Sequence, residues 1–291
     1  MQRYRCNSCN YVFENLRREK SGFERALFEE YSKGKQTYNQ LSVKHDLSLK
    51  TIQRHIDSYK FETKKTEPAN AANGGKIVIG MDSFYFGRGY GIMLFRDVTY
   101  RKNLLWFEIK YETIDLYKEG IDQLKKQGFN IVGIVCDGKK GLFKAFPGIP
   151  VQMCQFHQIQ ITRRYLTSKP ILEPAIELRS IIKSLTKTDK ETFIGAFNEW
   201  LKKWDAFLKE KSIDQDKGKW HYKHKKLRSA AHSIKINLPN LFVCYDYPQL
   251  KIPNTNNSIE GIISDIKTKT KLHQGLKKER RIKLINKLLQ K

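Results

Sequence analysis

Two short apolar runs, each closed by an aspartate, constrain this chain more than any other feature. Ile77-Val78-Ile79-Gly80-Met81 leads into Asp82, and residues 130–136 lead through Val135-Cys136 into Asp137. Brief runs rich in β-branched residues read as buried strands. A charge at the end of such a run is not there to pack, and strand ends open onto loops where ligands approach. Each aspartate taken alone also suits a turn or a helix cap, and Gly138 after Asp137 makes a turn easy.

The segments around these runs have a readable order. Residues 90–99 and 104–113 are β-rich and are separated by a polar turn at 100–103. Residues 115–127 form a helical pattern with Leu116, Ile121 and Leu124 on one face and Gly128 as the stop. A short helix at 142–146 ends at Pro147-Gly148, and 150–156 reads as a fifth strand. The order is β-β-β-α-β-α-β. Three meandering strands followed by βαβ crossovers predict an RNase H-like mixed sheet, an α/β fold. In such a sheet the first and fourth strands are neighbours, so Asp82 and Asp137 would face one space. Two carboxylates that close repel unless a cation lies between them, and Mg²⁺ prefers carboxylate and phosphate oxygens.

A third acid follows a long helical stretch. Residues 176–185 and 193–208, with Trp200 and Trp204, read as helices of an insertion at about 158–250. A polar stop-and-start segment, Pro253 to Ser258, then precedes a final helix that carries Glu260 in its first turns. An acid there is favoured by the helix dipole alone. Ile259, Ile263 and Ile266 form one stripe, while Glu260, Ser264, Lys267 and Lys271 form another. A carboxylate followed by cations suits a metal site running into a phosphate track, and a plain salt-bridge ladder has the same spacing. Residues 267–291 carry ten Lys or Arg against one acid, Glu279.

Charge points the same way. Lys and Arg number 55 against 30 acids, a net charge of +25. An excess of that size repels itself unless a polyanion neutralises it, and nucleic acid is the usual partner. A basic ribosome-associated protein is the plainer alternative. Hydrophobic residues make up 40% of the 291, enough for a sizeable core. Five cysteines, mostly far apart, argue against a disulfide scaffold and for a reducing compartment. No signal peptide and no run long enough to span a bilayer is legible, so a cytoplasmic, nucleoid-associated protein is expected.

The front end divides into a Cys-containing start at 1–15, a helical domain at 16–61 and a polar linker at 62–75. Phe23, Leu27 and Phe28 mark one helix and 38–45 a second, with Asp46-Leu47-Ser48 as the turn and Ser48 as the cap of a third. In the third, Leu49, Ile52 and Ile56 face inward and Lys50, Gln53, Arg54 and Asp57 outward. This is a helix-turn-helix pattern, in which Lys and Arg reach phosphate or guanine and Gln reads adenine. A small non-specific bundle has the same pattern. A basic, aromatic run at 217–226, with Trp220 and Tyr222, offers rings for base stacking or simply core.

Three segments resemble DDE transposases of the Mutator-like and bacterial insertion-sequence kind. Asp137-Gly138-Lys139-Lys140-Gly141-Leu142 is similar to the segment around that family's second aspartate. Gln152-Met153-Cys154-Gln155-Phe156-His157 is similar to its Cys-x-x-His signature. Asn254-Thr255-Asn256-Asn257-Ser258-Ile259-Glu260-Gly261 is similar to the segment around its final glutamate. The match spans roughly 76–280, within a catalytic domain taken as 76–291. The resemblance implies Mg²⁺-dependent DNA cleavage and strand transfer by Asp82, Asp137 and Glu260, holding two Mg²⁺ ions that Mn²⁺ can replace. It also implies double-stranded DNA partners, both element ends and target, and a homodimer or higher assembly on DNA.

Cys154 and His157 supply two of the four ligands a zinc site needs, with no second pair nearby in sequence; they read as a structural or DNA-positioning motif. Cys6-Asn7-Ser8-Cys9 resembles the second knuckle of a transposase zinc ribbon whose first pair is missing, so zinc at Cys6 and Cys9 is not expected in this chain alone. Two rival functions stand beside transposition: a decayed, non-catalytic DNA-binding repressor, and an RNase H-like nuclease without strand transfer.

Overall fold

The computed structural model describes residues 3–14, 17–60, 76–213, 218–273 and 276–290. The linker expected at 62–75 lies outside the described residues, as does Lys217. The described elements run β1 (Arg3–Arg5), β2 (Val12–Glu14), α1 (Arg17–Ser32), α2 (Tyr38–His45), α3 (Leu49–Ser58), β3 (Lys76–Tyr85), β4 (Gly91–Asp97), β5 (Lys102–Ile109), α4 (Ile114–Lys126), β6 (Asn130–Cys136), β7 (Val151–Met153) and α5 (Gln155–Leu166). They continue with α6 (Glu173–Ser184), α7 (Lys190–Lys203), α8 (Asp205–Lys209), β8 (Lys211–Ile213), β9 (Trp220–Tyr222), α9 (Lys225–Leu241), α10 (Val243–Asp246), α11 (Asn257–Leu272) and α12 (Lys278–Leu289). Among the described residues no helix is long and apolar enough to cross a membrane.

The chain divides into two compact units: Met1–Lys65 with Ile262–Lys291, and Thr66–Gly261. The sequence reading put everything after 76 in one domain, whereas 262–291 groups with the N-terminal helices. The reason is α12, which packs on α1 and buries Leu284, Ile285, Leu288 and Leu289. Its polar side is tied down too. Arg280 donates to Asp57 (Nε to Oδ1, 2.8 Å), Lys283 to the Ile56 carbonyl (2.6 Å), and Lys287 pairs with Glu29 (2.6 Å). Asp57 faces outward as expected and stays exposed while Arg280 binds it from the side.

In the same unit, Ser48 caps α3 by accepting the Thr51 N–H at 3.2 Å. Ahead of α2, Thr37 and Gln40 form a reciprocal capping box. Ile52 and Ile56 are buried, but Leu49, expected inside, is 44% exposed. It is the first residue of α3, a turn away from the ridge that Ile52 and Ile56 share. At the start of the chain, β1 and β2 form an antiparallel hairpin. Its turn points the Ser8 and Cys9 N–H groups at the Cys6 sulfur, which holds that thiol below its usual range.

The second unit is built on a five-stranded sheet of order β5-β4-β3-β6-β7. The β3–β4 and β4–β5 pairs are antiparallel, and β3–β6 and β6–β7 are parallel. Alternation along the strands sorts the two faces. Ile77, Ile79 and Met81 of β3 join Phe95, Ile134 and Cys136 in a core closed by Tyr117, Ile121 and Leu124 of α4. Val78 and Val135 point the other way and pack with Ile252.

The helical insertion has its own core, which includes Leu178, Phe193, Phe197, Trp200, Leu227 and Ile234. Three fully buried glutamines at the root of α5 join it to the sheet. Gln152 donates to the Leu241 carbonyl (2.8 Å) and accepts the Cys244 N–H (2.8 Å). Gln155 donates to the same Leu241 carbonyl (2.9 Å), and Gln158 accepts from Asn237 (2.7 Å). The strand expected over 150–156 stops at Met153 because the backbone turns into α5, so Cys154 sits at the helix start. The β8–β9 hairpin also departs from the all-helical insertion expected there.

One glycine sets how closely α4 approaches the sheet. A Cβ at Gly120 would stand 2.1 Å from the Phe95 ring. Alanine normally favours a helix interior by about 1 kcal/mol over glycine. Here the ring cannot yield, so Gly120→Ala is expected to lower unfolding stability by about 1–3 kcal/mol in urea denaturation. A gain in stability would show that the helix can move away from the sheet.

Candidate active site

The position of Asp82 follows from strand register. Gly80 pairs with Val135 in the parallel β3–β6 ladder, and the pairing ends there. Two residues on, at the same level and on the same face, stand Asp82 and Asp137. Asp82 is not at the end of its strand, as the sequence suggested. Strand β3 runs on to Tyr85, with Asp82 opposite Leu94 of β4. Only the flank toward β6 is left open, so Asp82 has rigid backbone on one side and room on the other. Asp137 is the first residue after β6.

Both carboxylates are partly buried and sparsely bonded. Asp82 accepts the Ser83 N–H at 2.7 Å and Asp137 the Lys139 N–H at 3.1 Å. Burial, and then the negative charge of Asp137, push Asp82 up to about 7, with Glu260 and Glu112 adding to the effect. Burial and the charge of Glu112 also raise Asp137. The charges acting most strongly on Asp82 are thus all negative, a field that favours a bound cation.

Glu260 reaches this field through the segment before α11. Asn256, fully buried, donates its side-chain amide to the Met81 carbonyl at 3.2 Å and its backbone N–H to the Cys154 sulfur at 3.2 Å. Gly80 makes the space: a Cβ there would lie 2.6 Å from Asn256 Oδ1 and 3.0 Å from Ile259. The Gln155 N–H bonds the Asn254 carbonyl at 2.9 Å. From β4, the buried guanidinium of Arg96 donates to Ser258 at 2.7 Å and to Asn103 at 2.6 Å. These bonds hold the first turn of α11 against the sheet, with Glu260 within 3.8 Å of the Cys154 sulfur and 3.5 Å of His157 Nδ1.

Glu112 is a fourth acid that sequence reasoning missed. It lies between β5 and α4, where the reading saw only the tail of a strand. The buried Tyr117 hydroxyl donates to it at 2.8 Å, and the Lys139 ammonium stands 3.6 Å away. Its signal in the sequence was slight, an acid one position before Thr113, which caps α4.

The candidate nucleic-acid contacts lie outside this cluster. On α3, Lys50 and Arg54 are exposed and Gln53 is half-buried; on α11, Lys267 and Lys271 are exposed. In the β8–β9 hairpin, Trp220 is 57% exposed. Lys211 stands 4.2 Å over its ring, and Arg228 lies 3.6 Å over that of Tyr222. The two rings are neither core nor bare stacking faces; each carries its own cation.

No family model matches the chain, and no curated protein matches it. Among solved structures it is similar to the Drosophila P element transposase strand transfer complex, with 10% identity and a TM-score of 0.46 over 98% of this chain and 94% of that one. A likeness that loose carries no assignment.

The crowding of like charges has a consequence for stability. With no metal bound, Asp82→Asn keeps an oxygen for the Ser83 N–H and removes a carboxylate that burial and its neighbours oppose. The variant is expected to be more stable than wild type by about 1–3 kcal/mol at pH 8. The ordinary carboxylate range lies near 4 and the folded-state value near 7. The penalty therefore grows as pH rises between them, and the variant's advantage vanishes below about pH 4. Thermal melts in chelator across that range test this; equal stability at pH 8 would mean the acids do not crowd.

Proposed function

We propose that the chain is an RNase H-like DNA strand transferase of the transposase kind, acting on double-stranded DNA with divalent cations held by Asp82, Asp137 and Glu260. One observation carries the reading. Two aspartates at neighbouring parallel strands share a level and a face, both are raised by burial and by nearby negative charge, and Glu260 is docked beside them. Partly buried carboxylate oxygens suit Mg²⁺, or Mn²⁺ in its place. Bound there, such ions neutralise the phosphate and stabilise attacking and leaving oxygens.

This chain's own residues supply alignment and charge. Asp82 on a rigid strand and Glu260 on a docked helix keep their oxygens fixed, so little rearrangement is needed when DNA arrives. The Ser83 and Lys139 N–H groups each occupy one carboxylate oxygen and orient the other. Lys139, beside Glu112, stands where a phosphate could take its ammonium. On the first unit, Lys50, Gln53 and Arg54 of α3 form the face proposed to read DNA, and Lys267 and Lys271 add phosphate contacts.

Two sets of variants test this. Asp137→Ala is expected to cut Mg²⁺-dependent nicking of plasmid carrying the DNA that flanks the coding region by at least about 10²-fold, leaving DNA affinity within a few-fold. Wild-type nicking in that variant would sink the assignment. Arg54→Ala is expected to weaken DNA binding by about 1–3 kcal/mol in a gel-shift titration, with melting unchanged. Unchanged affinity would remove α3 from the interface.

A further inference from the structure

Cys154, His157 and Glu260 bring a thiol sulfur, an imidazole nitrogen and a carboxylate oxygen within 4.8 Å of one another. They are the group of three or more potential ligands found among the described residues. We infer that they form a second metal site, for a thiolate-seeking divalent ion of the Zn²⁺ type, distinct in donor chemistry from the aspartate pair. Its overlap with that pair through Glu260 rests on the function proposed above; the binding of the ion does not.

The spacing suits the ion. Zinc bonds of about 2.0–2.3 Å in a tetrahedron put ligand atoms about 3.3–3.6 Å apart. Here the Glu260 oxygen lies 3.8 Å from the Cys154 sulfur and 3.5 Å from His157 Nδ1, and all three atoms lie within 4.8 Å of one another, so closing on an ion takes a shift of up to about 1 Å between sulfur and imidazole. Two further observations point into the site. His157 Nδ1 is a buried atom with no hydrogen-bond partner; despite its 3.5 Å approach to Glu260, the alignment of a hydrogen bond is missing. The Asn256 N–H donates to the Cys154 sulfur at 3.2 Å, the kind of outer contact that supports a metal thiolate.

Three protein ligands leave a fourth position for water or another exchangeable group. Glu260 and His157 are about one-quarter exposed (26% and 30% of their side chains), which gives an ion a way in. Binding would replace the Cys154 thiol proton, released to solvent, with a sulfur–metal bond; the imidazole enters neutral and the carboxylate ionised. Soft donors select zinc-like ions and all-oxygen sets select Mg²⁺. Glu260 belongs to both sets, so a zinc-like ion on Cys154 and His157 competes with the aspartates for that one carboxylate.

The test uses Co²⁺ as a coloured stand-in for Zn²⁺. It is added to the untagged 291-residue chain carrying Cys6→Ser and Cys9→Ser, which removes the closely spaced cysteine pair near its start. One Co²⁺ per chain is expected, with a thiolate-to-metal charge-transfer band displaced by equimolar Zn²⁺ but not by a hundredfold excess of Mg²⁺. Cys154→Ser is expected to abolish the band. His157→Ala and Glu260→Gln are expected to weaken binding about tenfold or more, and Asp137→Asn to leave the band in place. Cys154 is buried, so circular dichroism checks the fold of its variant; His157→Ala reads the same site from a part-exposed side chain. No band, a band that survives Cys154→Ser, or undiminished affinity in a folded His157→Ala chain overturns the site. DNA cleavage plays no part in the readout, so this inference and the proposed function can fail separately.

Discussion

The parallel register between β3 and β6 governs what stands above it. Hydrogen bonding holds Gly80 beside Val135 and then stops, and the next residues on that face are Asp82 and Asp137. A slip of one residue would turn one carboxylate into the α4 core and leave the other alone, because side chains alternate between faces. The apolar residues that prevent the slip, Ile79 and Ile134 on one face and Val78 and Val135 on the other, therefore fix the charges as well as the core.

Around this register the protein carries polar groups that a stability-optimised fold would avoid. Burial and the charge of Asp137 raise the proton affinity of Asp82, burial and Glu112 raise that of Asp137, and the Asn256 Oδ1 is buried without a partner. Such costs are expected where function outweighs stability. The compensation is local. Asn256, Arg96 and the Gln152–Gln155–Gln158 series bind backbone and side chains that packing alone would leave unsatisfied.

What the sequence reveals about this arrangement follows the range of the interactions. The two aspartates stand out because a charge after an apolar run is a local anomaly, and Ser48 reads as a cap because capping spans three residues. The strand order was also legible from alternation and turn residues. Features that depend on distant partners were not. Strand β3 continues past Asp82 because β4 pairs with it through Tyr85, on the side away from β6. Glu112 counts as a site residue only because Tyr117 and Lys139 meet it. Arg96 reaches Ser258 across 162 residues, and the β8–β9 hairpin lies in a stretch whose aromatic residues look equally helical. The grouping of 262–291 with the N-terminal helices depends on α12 ion pairs whose partners are more than 200 residues away.

On the proposed function, Asp82, Asp137 and Glu260 act as one oxygen-donor site. Mn²⁺, a hard ion visible by electron paramagnetic resonance when free, measures this most directly. The metal-free chain would be titrated as wild type, Asp82→Asn, Asp137→Asn and Glu260→Gln. Saturable binding in the wild type, weakened about tenfold or more by each substitution, is the expected result. Equal Mn²⁺ affinity in all four chains would contradict a shared site and leave the three carboxylates as separate features of the fold.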